Sequence, residues 1–210
     1  MGRSRVIGLP APVLVLTDTR TGSTSFSGTR TYSNVPIGAA SIDRLVICVN
    51  SAALVAPSVV ASATIGGVAA SLYQPVTGAN RNIVFFWAKV PTGTTATIVV
   101  NWSGGDGAAG ENLITYALKD HLSDIPNVEN FALNAATISL IGVEQDAAII
   151  IGAIGTGTTV VTFNPPVTAT GSLGVSSLHK LSYGQVDGSA PGSVNLTFAS
   201  APAISAMAWR

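Results

Sequence analysis

Few side chains in this sequence are suited to catalysis. There are two histidines, His121 and His179, and one cysteine, Cys48. His121 follows Asp120 and precedes Asp124, but a nucleophilic triad would also need a serine or cysteine presented to the imidazole and an oxyanion hole. The sequence contains no G-x-S-x-G elbow that could present one. We therefore expect no catalytic residues and no enzyme activity, and we interpret His121 as part of a polar loop after a strand.

The segment 103–112 has the composition of a ligand-binding loop, with four glycines, one Asp and one Glu. Asp106 and Glu111 are the candidate metal ligands, since calcium prefers carboxylate oxygens. The spacing lacks the alternating acids of an EF-hand, and no Lys-Ser/Thr pair follows the glycines as it would in a phosphate loop. We favour a plain hairpin tip here and expect no bound metal or cofactor.

The aromatic residues suggest two uses. A stacking platform for sugars, which would make a host-surface glycan a candidate partner, could include Trp87, Trp102 and Trp209, with Phe85, Phe86, Tyr73 and Tyr116. Consecutive residues of a strand point to opposite faces, so part of the run 85–87 must point inward. Aromatic residues make up only 6% of the chain, and a domain of this size needs most of them inside. Core packing is therefore the favoured interpretation, and Cys48 in its apolar strand is predicted to be a buried filler.

The charge content is low and balanced. Ten Lys and Arg residues oppose ten Asp and Glu residues, and charged residues make up 10% of the 210-residue chain, against about a quarter in ordinary domains. A basic face for nucleic acid is therefore not expected, nor is a membrane-spanning helix. Since little charge keeps copies apart, the composition favours a protein that associates with neighbours.

The hydrophobic pattern is that of β-structure. Segments rich in Val, Ile, Thr and aromatics alternate with Gly, Pro, Asn and Ser, and nothing shows a sustained helical period. The predicted strands are 44–49, 58–65, 68–74, 82–90, 95–102, 112–118, 137–141, 147–153, 158–163, 176–183, 193–198 and 203–209, whereas 129–136 is expected to form at most a short helical turn. Many short strands predict an all-β fold, an antiparallel β-sandwich that is jelly-roll-like.

The organisation of the chain leaves alternatives open. Residues 1–30 carry a polar run and are predicted to be an extended N-terminal arm or an edge strand. Residues 31–210 are predicted to form a β-sandwich domain. A faint internal repeat relates residues 86–117 to residues 181–209. In the same way, Ile37-Gly38 precedes Asp43 as Ile141-Gly142 precedes Asp146. It favours either two Greek keys of one jelly roll, which we prefer, or two small sandwiches at 31–118 and 131–210.

The strand and turn pattern also resembles a known group of proteins. The segments 35–47, 63–70 and 88–104, with the closing strands 194–198 and 203–210, are similar to β-sandwich virion proteins of tailed bacteriophages. Members of this group are head fibre, capsid decoration or minor tail proteins. The resemblance covers 30–210 and carries turns and strands rather than catalytic residues, so it implies a structural role in a virion assembled in the host cytoplasm.

The resemblance and the composition together predict the partners. We expect copies of this chain, arranged as a trimer or a pentamer, and a major capsid or other virion protein. The N-terminal thirty residues contain four arginines and one acid. Arg3, Arg5, Arg20 and Arg30 are therefore the predicted partner-binding residues, which would dock on an acidic neighbouring surface.

Overall fold

The fold is built from antiparallel strands. A computed structural model of the chain describes residues 10–22, 28–54, 58–74, 81–104, 108–133, 135, 137–156, 160–176, 179–186, 192–197 and 203–210. Every strand pairing in these ranges is antiparallel. The prediction of an all-β antiparallel sandwich is confirmed. The described ranges contain no helix with the length and apolarity that crossing a bilayer would require.

The described residues form sixteen strands. The first nine are β1 (Val13–Thr21), β2 (Thr29–Pro36), β3 (Leu45–Leu54), β4 (Ser58–Ile65), β5 (Val68–Ala69), β6 (Ser71–Tyr73), β7 (Arg81–Lys89), β8 (Thr95–Gly104) and β9 (Ala108–Lys119). The remaining seven are β10 (Val128–Leu133), β11 (Thr137–Val143), β12 (Ala148–Thr156), β13 (Thr168–Ser176), β14 (His179–Val186), β15 (Gly192–Thr197) and β16 (Ala203–Trp209).

The strands form four sheets, two from each half of the chain. The first half gives the inner sheet 1, in the order β1-β9-β3-β7-β6, and the outer sheet 1, in the order β2-β8-β4-β5. The second half gives the inner sheet 2, in the order β10-β16-β12-β14-β13, and the outer sheet 2, which pairs β11 with β15. Each half is thus a sandwich of its own two sheets.

Three apolar cores set the order of the layers. One core lies between outer sheet 1 and inner sheet 1, and a second lies between inner sheet 2 and outer sheet 2. The third core joins the two halves, because Ile47 of β3 and Phe85 of β7 pack with Ile150 of β12 and Trp209 of β16. Both inner sheets are therefore buried on both faces, which explains their continuous apolar runs at 45–49 and 148–151.

The two halves repeat one strand order. Within each half the first strand pairs with the last and the last with the third, giving β1-β9-β3-β7 and β10-β16-β12-β14. In the outer sheets, the second strand of each half pairs with the last strand but one, as β2 with β8 and β11 with β15. This is the order of a jelly roll, in which two Greek keys close on each other. The chain is thus two jelly-roll sandwiches in tandem, packed through their inner sheets.

The repeat noted in the sequence coincides with this structural repeat. Leu45 pairs with Leu118 at the start of β3, and Ala148 pairs with Trp209 at the start of β12. The turns before these strands also match, since the N–H of Arg44 donates to the carbonyl of Ser41 and the N–H of Ala147 donates to that of Glu144. The pairs Asp43-Arg44 and Asp146-Ala147 therefore occupy equivalent positions.

The structure changes the predicted extents of several segments. Residues 128–133 form the edge strand β10 instead of a helical turn. The predicted strand 158–163 is irregular over 160–162, because the N–H of Val161 bonds to the Ser182 hydroxyl at 2.9 Å in place of a ladder partner. In the segment 1–30, β1 is the edge strand of inner sheet 1. The first sandwich accordingly begins at Val13 rather than at residue 31, while residues 1–9 lie outside the described residues.

Candidate functional site

The predicted calcium site is not assembled as the sequence suggested. Asp106 lies outside the described residues, and Glu111 lies within β9 with its side chain fully buried. Oε1 of Glu111 accepts a hydrogen bond from Nδ2 of Asn50 at 2.8 Å, and Oε2 lies 3.6 Å from Nε of Arg30. In the part of the chain that the structure describes, no three His, Cys, Asp or Glu side chains come together as metal ligands. A guanidinium facing the carboxylate disfavours a cation there.

Glu111 belongs instead to a polar cluster inside the first sandwich. Burial raises the pKa of Glu111, and the hydrogen bond from Asn50 opposes this shift; burial also raises the pKa of the neighbouring Tyr32. The matching position of the second sandwich lacks the amide of this cluster. Asn50, five residues after Leu45, corresponds to Ala153, five residues after Ala148. The jelly-roll order therefore does not require the amide of Asn50.

The buried carboxyl of Glu111 makes a testable contribution to the pH dependence of stability. Because its pKa is raised in the folded chain, the folded state takes up a proton at higher pH than the unfolded state does. Its contribution to the free energy of unfolding therefore increases as the pH falls through the folded-state pKa, and it levels off below the unfolded value, 4.5.

We expect Glu111→Gln to remove this increase in the free energy of unfolding on acidification. Urea unfolding of the two proteins at a series of pH values from 7.5 to 4.5 measures the difference. A wild-type free energy of unfolding that falls more steeply on acidification than that of the variant would contradict the assignment. Glu144→Gln, at an exposed position in the second sandwich, is the matched control.

The tryptophan side chains are in the cores, as predicted, whereas Phe131 on the edge strand β10 is 40% exposed. Trp87, Trp102 and Trp209 are all buried. Trp87 and Trp209 meet edge to face across the two halves, with ring centroids 5.9 Å apart. Tyr73 is half-buried and Cys48 is buried, the latter as expected. These tryptophans are therefore not exposed as a stacking platform for a sugar.

Two of the four predicted partner-binding arginines are engaged within the chain. Arg20 contacts Asp18 through Nε at 2.6 Å and donates to the carbonyls of Ser33 and Asn34 at 2.7 and 2.8 Å. These bonds tie the edge strand β1 to the edge strand β2. Arg30 points inward to Glu111. Arg3 and Arg5 lie outside the described residues.

The segment between the two halves, 120–127, carries exposed aliphatic side chains. Leu122 is 55% exposed and Ile125 is 68% exposed. Ile42, in the turn before β3, is 87% exposed, and this turn lies against the segment because Oδ2 of Asp43 accepts a hydrogen bond from the N–H of Asp120 at 2.8 Å. We call Ile42, Leu122 and Ile125 the linker patch. Aliphatic side chains exposed on two connections that contact each other are a candidate interaction site.

Polar contacts fix the linker patch to both halves of the chain. The N–H of Leu122 donates to the carbonyl of Arg210 at 2.6 Å, and Nε2 of His121 lies 2.8 Å from Oδ1 of Asp124. Oδ2 of Asp124 lies 3.8 Å from Nζ of Lys89. The His121–Asp124 contact thus orders the segment that bears the patch, which is consistent with the predicted polar loop. The side chain of His179 is outside what the structure describes.

Comparison with protein-family models, with curated proteins and with solved structures finds no match for this chain. The function must therefore be argued from the geometry.

Two carboxylates at the rim of the linker patch give it a negative edge. Hydrogen bonding from Ser41 and from the Asp120 amide lowers the pKa of Asp43, so its carboxyl stays ionised. Among the described residues neither Asp43 nor Asp120 forms an ion pair. The patch therefore combines aliphatic side chains with two adjacent unpaired anions. The sequence alone does not reveal the linker patch, because its three apolar residues are isolated from one another along the chain.

Proposed function

We propose that this chain is a structural subunit of a larger protein assembly and that the linker patch is a contact surface in that assembly. The observation that carries the proposal is the exposure of Ile42, Leu122 and Ile125 on a chain whose net charge is zero. Exposed aliphatic groups gain free energy when a partner covers them, and few charges oppose the approach of another copy.

The assembly we propose is a virion. The chain resembles β-sandwich proteins that decorate the capsid or form head fibres of tailed phages, and tandem jelly-roll sandwiches buried against each other suit a compact, protease-resistant surface subunit. A closed homo-oligomer, a trimer or a pentamer, bound to a major capsid protein is the proposed arrangement. Electron micrographs of particles made with and without the gene, with the protein located by immunogold, test this role. Particles identical in composition and appearance would contradict it.

Charges placed in the linker patch should prevent association. We expect Ile42→Asp with Ile125→Asp to lower the affinity between copies by at least about a hundredfold, because two aliphatic contacts are lost and two charges would be buried without partners. Sedimentation velocity across a range of protein concentrations measures the change.

The matched control is Ile141→Asp, which also places a charge at a highly exposed isoleucine, 74% accessible, but in β11 of outer sheet 2. It should leave association unchanged. Circular dichroism should show the same β signal for all variants, because none of these side chains is in a core. Wild-type protein that sediments as a monomer at every concentration, and binds no particle, would refute the proposed function.

A further inference from the structure

We propose that the linker patch binds residues 1–9 of a neighbouring copy of this chain. The proposal rests on the assembly role above and names the segment that covers the patch. It assigns Arg3 and Arg5 as the partner-binding arginines that remain, since Arg20 and Arg30 are used inside their own chain.

The sequence of residues 1–9 complements the surface of the patch. It reads Met-Gly-Arg-Ser-Arg-Val-Ile-Gly-Leu and contains no acid. Its aliphatic side chains Val6, Ile7 and Leu9 match the aliphatic character of the patch. Its two arginines match the two carboxylates at the rim, with which guanidinium groups form strong charge-assisted hydrogen bonds.

The nearby cations of the folded body leave those carboxylates available. Nζ of Lys89 lies 3.8 Å from Asp124, and Nη1 of Arg210 donates to the carbonyl of Pro10 at 3.2 Å. Lys119 forms no ion pair with any described residue. His121 also lowers the pKa of Asp43 electrostatically but forms its ion pair with Asp124. An incoming arginine would therefore meet Asp43 and Asp120 without displacing an ion pair of the described residues.

The place where the segment leaves the folded body suits exchange between copies. Pro10, the first described residue, accepts a hydrogen bond from the side chain of Arg210, and the backbone carbonyl of Arg210 accepts one from the N–H of Leu122. The same terminal residue therefore contacts both the exit point of the segment and the linker patch. Nine extended residues reach about 30 Å. Ala11 precedes Pro12, which favours an extended backbone at the exit. Donor and receiving site are thus adjacent on every copy, which lets each copy give its segment to the next around a ring.

The direct test uses the full chain and a variant that lacks residues 1–9, which leaves every described strand intact. A fluorescently labelled peptide of residues 1–9 is titrated with the truncated protein, and anisotropy reports binding. We expect saturable binding that weakens with added salt, as charge pairing requires. We also expect the truncated protein to sediment as a monomer at protein concentrations at which the full chain is oligomeric.

Two variants and one altered peptide locate the contact. Ile125→Asp in the truncated protein and Arg3→Glu with Arg5→Glu in the peptide should each weaken binding at least about tenfold. Ile141→Asp, outside the patch, should leave it unchanged. Equal binding of the peptide to the Ile125→Asp and Ile141→Asp proteins would overturn the proposal.

The outcomes separate this proposal from the proposed function. If the truncated protein stays oligomeric while Ile42→Asp with Ile125→Asp dissociates it, the patch is an assembly contact and residues 1–9 are not its occupant. If the peptide binds the truncated protein but the full chain is a monomer, the segment covers its own patch, and binding between neighbours is refuted. Failure of the patch variants to alter association, whatever the truncation does, would refute the assembly contact itself.

Discussion

Replacing Arg44 with alanine is expected to lower the free energy of unfolding by about 3–5 kcal/mol, a large part of the stability of an ordinary domain. The side chain is fully buried. Its Nε donates to the carbonyl of Val90 at 2.8 Å, Nη1 donates to those of Gly38 and Gly93 at 2.6 and 2.9 Å, and Nη2 donates to that of Thr92 at 2.7 Å. One guanidinium thus ties together the turn 37–44 and the turn 90–94.

The reason for the large effect is that alanine would remove the buried guanidinium from its site and leave the buried carbonyl of Val90 there without a donor. Arg44→Lys should recover only part of the loss, because an ammonium cannot reproduce the planar fork that reaches several carbonyls at once. Urea unfolding measures both variants. Arg20→Ala is the matched control: Arg20 also donates to two carbonyls, but its side chain is 30% exposed, so water replaces the lost partner and the cost should stay below about 1 kcal/mol. An equal loss for Arg44→Ala and Arg20→Ala would show that burial is not the cause.

How far the sequence predicts the fold depends on how each strand is buried. Strands of the outer sheets alternate apolar and polar residues, as in 95–102, and strands of the inner sheets are apolar runs, as in 45–49. Both patterns are readable, and most strands of both kinds were predicted. The outer strand β2 was not, because its Thr, Arg, Ser and Asn residues leave little apolar signal. The strand β10 was missed because it lies at an edge, where its side chains are only half-buried or exposed. The strand β13 was missed because its Gly, Ser and Thr residues carry little apolar signal.

Neither the buried state of Arg44 nor the linker patch could be predicted from the sequence, because both depend on how distant segments pack. Nothing in the residue types distinguishes the buried Arg44 from the surface Arg20, since only packing decides whether water can reach a guanidinium. The linker patch forms because two separate connections meet: the Asp43–Asp120 contact brings in the turn of Ile42, and the Leu122–Arg210 contact holds the segment 120–127 against the end of β16. Contacts at such separation along the chain leave no local pattern.

Replacing Trp209 with alanine is expected to lower the free energy of unfolding by about 3–5 kcal/mol, since it opens a cavity in the core shared by the two sandwiches. Trp209 is fully buried at the end of β16, and its ring contacts Trp87 of the first sandwich edge to face. The substitution should therefore destabilise both sandwiches, although the residue belongs to the second one. We expect a single unfolding transition that moves as a unit.

Unfolding followed by two probes tests this coupling. The Trp209→Ala variant keeps Trp87 and Trp102, so its tryptophan fluorescence reports on the first sandwich. Within each protein, wild-type or variant, the unfolding curve from fluorescence should coincide with the curve from far-ultraviolet circular dichroism. Ile151→Ala is the informative control, because Ile151 lies in the core between inner sheet 2 and outer sheet 2 and does not reach the first sandwich. If the halves unfold together, Ile151→Ala should shift the whole fluorescence transition, to which Trp87, Trp102 and Trp209 all contribute, to lower urea in a single step. A Trp209→Ala protein in which the second sandwich melts first, with the fluorescence of the first unchanged, would show that the shared core does not join the halves into one cooperative unit.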